Sequence, residues 1–225
     1  MGRARTDQVP AVGGTVAIVR LAPTQKRSRE RFEKILGCAE ELLLEKGSDA
    51  FRMSDIVERA GVPFGSLYQY FPDKTAIIGT LAERYNALGH ECVRKELEAM
   101  RSRQDIHPAL CRITDGFYEM YRKEPVMVAI WQATLADRAL QDIDKSDGEY
   151  LAGLLGEAMR LFVDTDLKEI AAFSRLAITL IGAAVRYAIT LDEPEAERVL
   201  AQFKAILPDG PVRENTTKRR REQTR

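Results

Sequence analysis

The chain has few of the residues on which metal and nucleophile chemistry relies: two histidines and three cysteines among 225 residues. His90 and His107 fall in no His-Glu-x-x-His pattern, and Cys38, Cys92 and Cys111 form no Cys-x-x-Cys pair, so a zinc site is not expected. An odd number of widely spaced cysteines suits free, buried thiols in a reducing compartment better than a disulfide framework. A phosphate-cradling Gly-rich loop and a Gly-x-Ser-x-Gly elbow are also missing; the Gly65-Ser66 pair lies between helical patterns with no strand before it. No catalytic residue, no metal and no cofactor are expected. Long apolar runs are scarce. The most apolar, residues 176–185, is bracketed by Arg175 and Arg186 and has about half of the roughly 20 residues a bilayer crossing needs. The first residues lack the basic-then-apolar pattern of a secretion signal. The expected location is the cytoplasm, with no membrane partner.

Net charge is absent too, with 34 basic and 34 acidic side chains, but the balance is uneven. Residues 1–90 carry a net +2, residues 91–210 a net −6 and residues 211–225 a net +4, an asymmetry consistent with separate tasks along the chain. What is plentiful is helical periodicity. Phe32, Ile35, Leu36, Ala39, Leu42 and Leu43 form one stripe of a helix that starts at Lys26 and stops at Gly47. Short helices follow at about 53–60 and 64–71, the second ended by Pro72. Asp73 is a good N-cap for a long helix from 74 to about 100. Further helices are predicted at about 107–122, 125–136, 139–163, 167–190 and 193–206, and no stretch alternates with period two for long enough to make a strand. The expected fold is all-α: a three-helix head, 26–73, on a larger helical body, 74–208. Residues 1–25 read as a flexible arm and 209–225 as a flexible basic tail.

The most specific stretch is AGVPFGSLYQYFPDK, residues 60–74. Two short helices around Gly61 have the spacing of a helix-turn-helix, with glycine at the ninth position, where a left-handed residue is needed. Ile56, Ala60, Val62, Leu67 and Tyr70 take the positions that lock the two helices together. Phe64, Gly65, Ser66, Tyr68 and Gln69 are left to face outward. Two readings are open: a hairpin packed on a neighbour, or a recognition helix that enters a DNA major groove.

Residues 27–80 resemble the N-terminal domain of the tetracycline-repressor-like (TetR) family of transcriptional regulators, chiefly through AGV-x-x-G-x-L-Y-x-Y-F-x-x-K. The rest of the chain resembles that family only in being helical and of suitable size. The resemblance implies a homodimeric, ligand-responsive repressor on a palindromic double-stranded DNA operator, with Arg52, Ser54, Phe64, Gly65, Ser66, Tyr68, Gln69, Tyr70 and Lys74 as DNA contacts. Within that set Gln69 suits an adenine edge, Phe64 a thymine methyl, and Gly65 close backbone approach. Ser66 suits a base edge or a phosphate; Tyr68, Tyr70 and Lys74 suit phosphates. Arg52 stands where a capping Thr is common in the family, which leaves the cap of its helix to Ser54 or the backbone. The competing class is a helical small-molecule-binding or enzymatic protein whose N-terminal helices dock a protein partner.

Two further expectations concern the body. Residues 171–191 are apolar around most of a helix, with Phe173, Leu176, Ala177, Leu180, Ile181, Ala184, Val185, Ala188 and Ile189 in one stripe, which suits burial on several sides and pairing with a second copy, together with residues 193–206. Tyr85, Phe117, Tyr118, Met127, Trp131, Met159 and Phe162 are candidates for a pocket that takes a small apolar effector. The acidic balance of residues 91–210 favours a neutral or cationic one.

Overall fold

The computed structural model describes residues 26–211, and among them it contains nine α-helices and one 3-10 turn, with no strand. Helix α1, Lys26–Ala50, buries the predicted stripe of Ile35, Leu36, Ala39, Leu42 and Leu43. Gly47 does not end it but kinks it: its φ of 73° and ψ of 170° are open to glycine, and the chain resumes helical geometry for one more turn. Helices α2 (Met53–Ala60) and α3 (Phe64–Tyr70) follow, then α4 (Lys74–Glu98), α5 (Ile106–Lys123), α6 (Val126–Thr134), α7 (Arg138–Met159), α8 (Leu167–Ala188) and α9 (Glu193–Ile206). Each predicted helix lies within four residues of these ends. The 3-10 turn Arg103–Asp105, which leads into α5, was not foreseen.

Short acidic residues start most of the long helices. Asp73, Asp137, Asp166 and Asp192 each accept a hydrogen bond from a first-turn backbone N–H of α4, α7, α8 and α9. The start of α2 departs from expectation. Arg52 has no acceptor to offer, and the Asp55 carboxylate takes over, accepting the Arg52 backbone N–H at 2.9 Å while Lys46 donates to it at 3.1 Å. Ser54 stays exposed and does not provide the cap.

Two cores form, and they do not divide at residue 73. The first joins α1, α2, α3 and the opening half of α4 to Val126, Ile130 and Ala133 of α6 and Leu140 and Ile143 of α7. The second joins the far half of α4 to α5, α7, α8 and α9. Helix α4 runs through both, so the expected head shares its interior with two helices of the body. The chain also stays packed beyond residue 208. Gly210 and Pro211 are buried, with Gly210 beside Arg103 and Ile106, so the expected tail starts later than 209. The expected arm, 1–25, and the remainder of the basic tail, 212–225, lie outside the described residues.

Helix α8 is longer and more apolar than the run 176–185 suggested: its 22 residues have the length and composition of a membrane span. Its inner face, Phe173, Ala177, Ile181, Val185 and Ala188, is instead built into the second core. Its outer face leaves Leu176, Leu180 and Tyr187 largely exposed, and Ile206 of α9 is 77% exposed. Ala184, from the predicted stripe, packs on the core side. All three cysteines are free, and burial pushes each thiol above its ordinary pKa.

Candidate functional site

The turn between α2 and α3 is set by Gly61, at φ 60° and ψ 37°, a left-handed conformation that spares glycine the Cβ penalty. Ile56 and Ala60 on α2 and Leu67 and Tyr70 on α3 then face inward and are buried. Leu67 has no exposed surface, a burial that contributes about 1.5–3 kcal/mol to holding α3 in place. Outside, Arg59 grips Glu45 with two hydrogen bonds of 2.7 and 2.6 Å, tying α2 to α1. Phe32 stacks on Phe71 at 5.0 Å and meets the edge of Tyr70 at 5.9 Å, which fixes the end of α3 against α1.

What remains on the surface of α3 is most of the predicted outward set. Phe64 and Tyr68 are about half exposed, one turn apart, with near-parallel rings 6.4 Å between centroids. Gly65 and Gln69 are exposed and Ser66 is half-buried. A Cβ added at Gly65 would meet nothing within 4 Å, so no part of the described protein requires glycine there. Arg52 and Ser54 are exposed at the start of α2.

Two predicted phosphate contacts are turned to other uses. Tyr70 is buried and its hydroxyl pairs with Ser28 at 2.6 Å; four residues from Ser66, it lies on the inward face that Leu67 begins. Lys74 donates its ammonium to the Ser48 carbonyl at 2.5 Å and covers the Phe51 ring at 5.3 Å. It ties the start of α4 to the end of α1, whose last-turn carbonyls have no partner in the helix ladder.

A second feature lies at the seam between the two cores. A cavity of about 250 Å³ opens between α4, α5, α6, α7 and α8. Of the seven predicted effector residues, Tyr85, Phe117 and Met127 line it. Trp131 lines a smaller adjoining cavity of about 40 Å³ that shares Tyr85 and Met127. Tyr118, Met159 and Phe162 do not line either cavity: Met159 is fully buried in the second core, Tyr118 is buried there under Arg122, and Phe162 packs against that core. The prediction, made of aromatic and methionine side chains, did not include Tyr121 or the polar wall, Asn86, Asp144, Asp147 and Arg186. Tyr121 was legible, since it follows Phe117 by one turn. Arg186 was read as a bracket of an apolar run rather than as a charge held among apolar neighbours.

The electrostatics of the wall are uneven. Asp147 is paired with His90 at 2.5 Å, and burial, opposed by that imidazole, holds its carboxyl above the usual range. Burial likewise raises the Tyr121 phenol, against the pull of Arg186. On α4, Tyr85 donates to Glu40 of α1 at 3.4 Å; burial first, then the Glu40 charge, pushes it up to about 12. Among the described residues no group of three or more His, Cys, Asp or Glu side chains is placed to hold a metal.

Two family models match this architecture. One, described as bacterial regulatory proteins of the tetR family, covers residues 35–81, and the other, the tetracyclin repressor-like C-terminal domain, covers 104–209. The chain belongs to the TetR family of transcriptional regulators. Curated relatives agree over the helix-turn-helix. An uncharacterized HTH-type transcriptional regulator of Bacillus subtilis, YvdT, is 45% identical over 65 residues, 29% of this chain and 32% of the relative. The Escherichia coli HTH-type transcriptional repressor NemR is 33% identical over 67 residues, 30% of this chain and 34% of the relative. The match thus spans about a third of the length of these relatives. The fold match is wider. A TetR-family regulator from Syntrophomonas wolfei superposes with a TM-score of 0.62 over 83% of this chain and 99% of its own, at 19% identity. A complex of SmeT with triclosan superposes with a TM-score of 0.56 over 76% of this chain and 85% of its own, at 18% identity. For this TetR-family regulator, α3 occupies the place of the second helix of the helix-turn-helix, and the cavity lies in the C-terminal domain and the helix that leads into it.

Proposed function

We propose that this regulator is a cytoplasmic, homodimeric repressor that holds a palindromic operator through α3 and releases it when a small, largely apolar molecule enters the seam cavity. The observation that carries the reading is the outer face of α3. Phe64, Tyr68 and Gln69 project from a helix whose other side is locked, and Gly65 leaves room that no described residue uses. A helix presented this way suits a major groove, with Gln69 against an adenine edge, Phe64 against a thymine methyl and Ser66 and Tyr68 toward base edge and phosphate. Arg52 and Ser54 would meet the backbone. The exposed apolar face of α8 and α9 would pair with a second copy about a two-fold axis, which sets two recognition helices on two half-sites. The repressor name of NemR and the triclosan bound to SmeT support the sense of the response. Head, 26–73, and body, 74–208, would act as the binding and sensing parts.

Coupling would run through shared walls. Helix α4 lines the cavity at Tyr85, Asn86 and Gly89 and begins at the head, where Thr75 donates to Asp137 of α7 at 2.7 Å. Helix α6 lines the cavity at Met127 and packs into the first core beside α1. A guest that spreads α4 from α6 and α7 would therefore rotate the head and change the spacing of the two recognition helices. Operator and effector would each weaken the other by the same factor. The test is Gln69→Ala against DNA flanking the regulator's own gene. It should relax specificity at one base position per half-site, a loss of roughly 1–3 kcal/mol of discrimination. Equal affinity of the parent protein for that DNA and for random DNA would return the docking-hairpin reading.

A further inference from the structure

We infer that the cavity takes a small apolar carboxylate, its acidic group received by Arg186 and Tyr121; this rests on the effector reading above and narrows it to a chemical class. The observation is an imbalance of hydrogen-bonding groups on the wall. The most enclosed carboxylate there, Asp147, is already served by His90 at 2.5 Å, and the exposed Glu149 accepts from Arg175 at 2.9 Å. Two donors are not. The Arg186 side chain is 26% exposed, yet its closest carboxylate oxygen, on Asp144, stands 3.6 Å away, beyond hydrogen-bond distance. Its other contact is the face of Trp131, at 6.0 Å from the ring centroid. The Tyr121 side chain is half-buried on the cavity wall, and its hydroxyl has no hydrogen-bond partner among the described residues. Arg186 shifts the ionisation of Tyr121, so the two donors feel one another across the same space.

A buried donor without an acceptor is costly, and a guanidinium is best met by a planar, two-oxygen anion. Arg186 is shaped for that role. It folds back over Gly182 of its own helix, with its guanidinium 3.4 Å from where a Cβ would stand, a van der Waals contact that a glycine leaves open. The body of the guest would lie on Tyr85, Phe117, Met127 and Ile178, which supply the apolar part of the wall. Asp144 is the internal competitor: its side chain is 53% exposed, so water serves it when the ligand displaces it from Arg186. The net −6 of residues 91–210 pointed to a neutral or cationic guest. The wall itself balances Asp144, Asp147 and Glu149 against Lys145, Arg175 and Arg186.

The test uses the full-length protein without DNA and three probes of one shape: 4-phenylbutyrate, its primary amide and 4-phenylbutylamine. Binding is measured by calorimetry and by the fluorescence of Trp131, and a separate gel shift follows DNA affinity with and without the acid. The acid should bind tightest. Arg186→Met should weaken it roughly tenfold to a hundredfold, as loss of a charged hydrogen bond does, and should make the amine the preferred probe. Tyr121→Phe should weaken the acid by a smaller factor. Asp144→Asn should tighten it, a gain that a merely structural role for these residues would not produce. Equal affinity for acid and amide, no binding of the acid, or parental binding by Arg186→Met overturns the assignment. Binding in the expected order with no effect on DNA affinity would overturn the regulatory reading and leave the assignment standing.

Discussion

Replacing Lys74 by methionine separates two roles for one side chain: a phosphate contact, as the family resemblance implied, and an internal tie. In the structure its ammonium is 2.5 Å from the Ser48 carbonyl and 5.3 Å from the Phe51 ring centroid. A hydrogen bond from a charged donor contributes about 1.5–3 kcal/mol net, and a cation–π contact at a partly exposed site about 0.5–1 kcal/mol. Lys74 is half-buried, so the lower ends apply, and Lys74→Met should lose about 2 kcal/mol of stability. For a chain of this size that lowers Tm by about 4–8 °C. The assay pairs thermal unfolding with DNA affinity measured across salt concentrations. As a tie, Lys74 affects the melt and leaves the slope of log affinity on log salt unchanged. A slope flattened by about 0.9 with an unchanged Tm is the signature of a lost phosphate contact and would refute the internal role.

Three more outcomes follow from the same structure. Gly65→Ala adds a methyl to open space and replaces the helix former that costs most after proline, so stability should rise by about 0.5–1 kcal/mol while DNA affinity falls, checked by denaturant unfolding and gel shift. Leu180→Glu alters a side chain that is 41% exposed, so the fold should persist while light scattering reports monomers; operator affinity should drop by more than roughly a hundredfold, since an unpaired charge at an apolar interface costs roughly 3–5 kcal/mol. Tyr85 stays protonated in the folded state up to about 12 but ionises at 10.0 when unfolded, so the unfolded chain sheds its proton first and stability is lost as pH rises through that window. Glu40→Gln removes the carboxylate charge, the largest cause after burial, while keeping an amide oxygen that can accept from the phenol, so the variant should lose less between pH 10 and 12 in denaturant titrations; an identical loss would show that the Glu40 charge does not hold the phenol.

The helix-turn-helix was legible because its determinants are local. Gly61 must take a left-handed φ, Asp73 caps the helix that starts beside it, and the period of Ile56, Ala60 and Leu67 says which side is inward. Exposure of Phe64, Tyr68 and Gln69 follows from those constraints. At Tyr70 the sequence pointed both ways, to an inward locking position and to a phosphate, because a tyrosine there offers both a ring and a hydroxyl. Only the approach of Ser28, 42 positions earlier in the chain, shows where that hydroxyl goes. Lys74 is similar: a lysine at a helix start reads as an anion site, and only the tertiary fold brings it to the Ser48 carbonyl at the end of α1.

By itself the sequence determined the helices, their order, the turn geometry and the family, all of which rest on hydrophobic period, caps and backbone conformations set within a few residues. Tertiary structure alone decided which residues share a wall. Period three to four tells a core face from a solvent face, but it cannot tell a filled core from a gap between two cores. Met159 and Met127 look alike in sequence; one is fully buried in the second core and the other borders a cavity at the seam of the two cores. Average charge failed for the same reason. A sum over 120 residues weighs exposed Glu193 equally with enclosed Arg186, whereas the field felt by a guest depends on distance, burial and which donors already have acceptors.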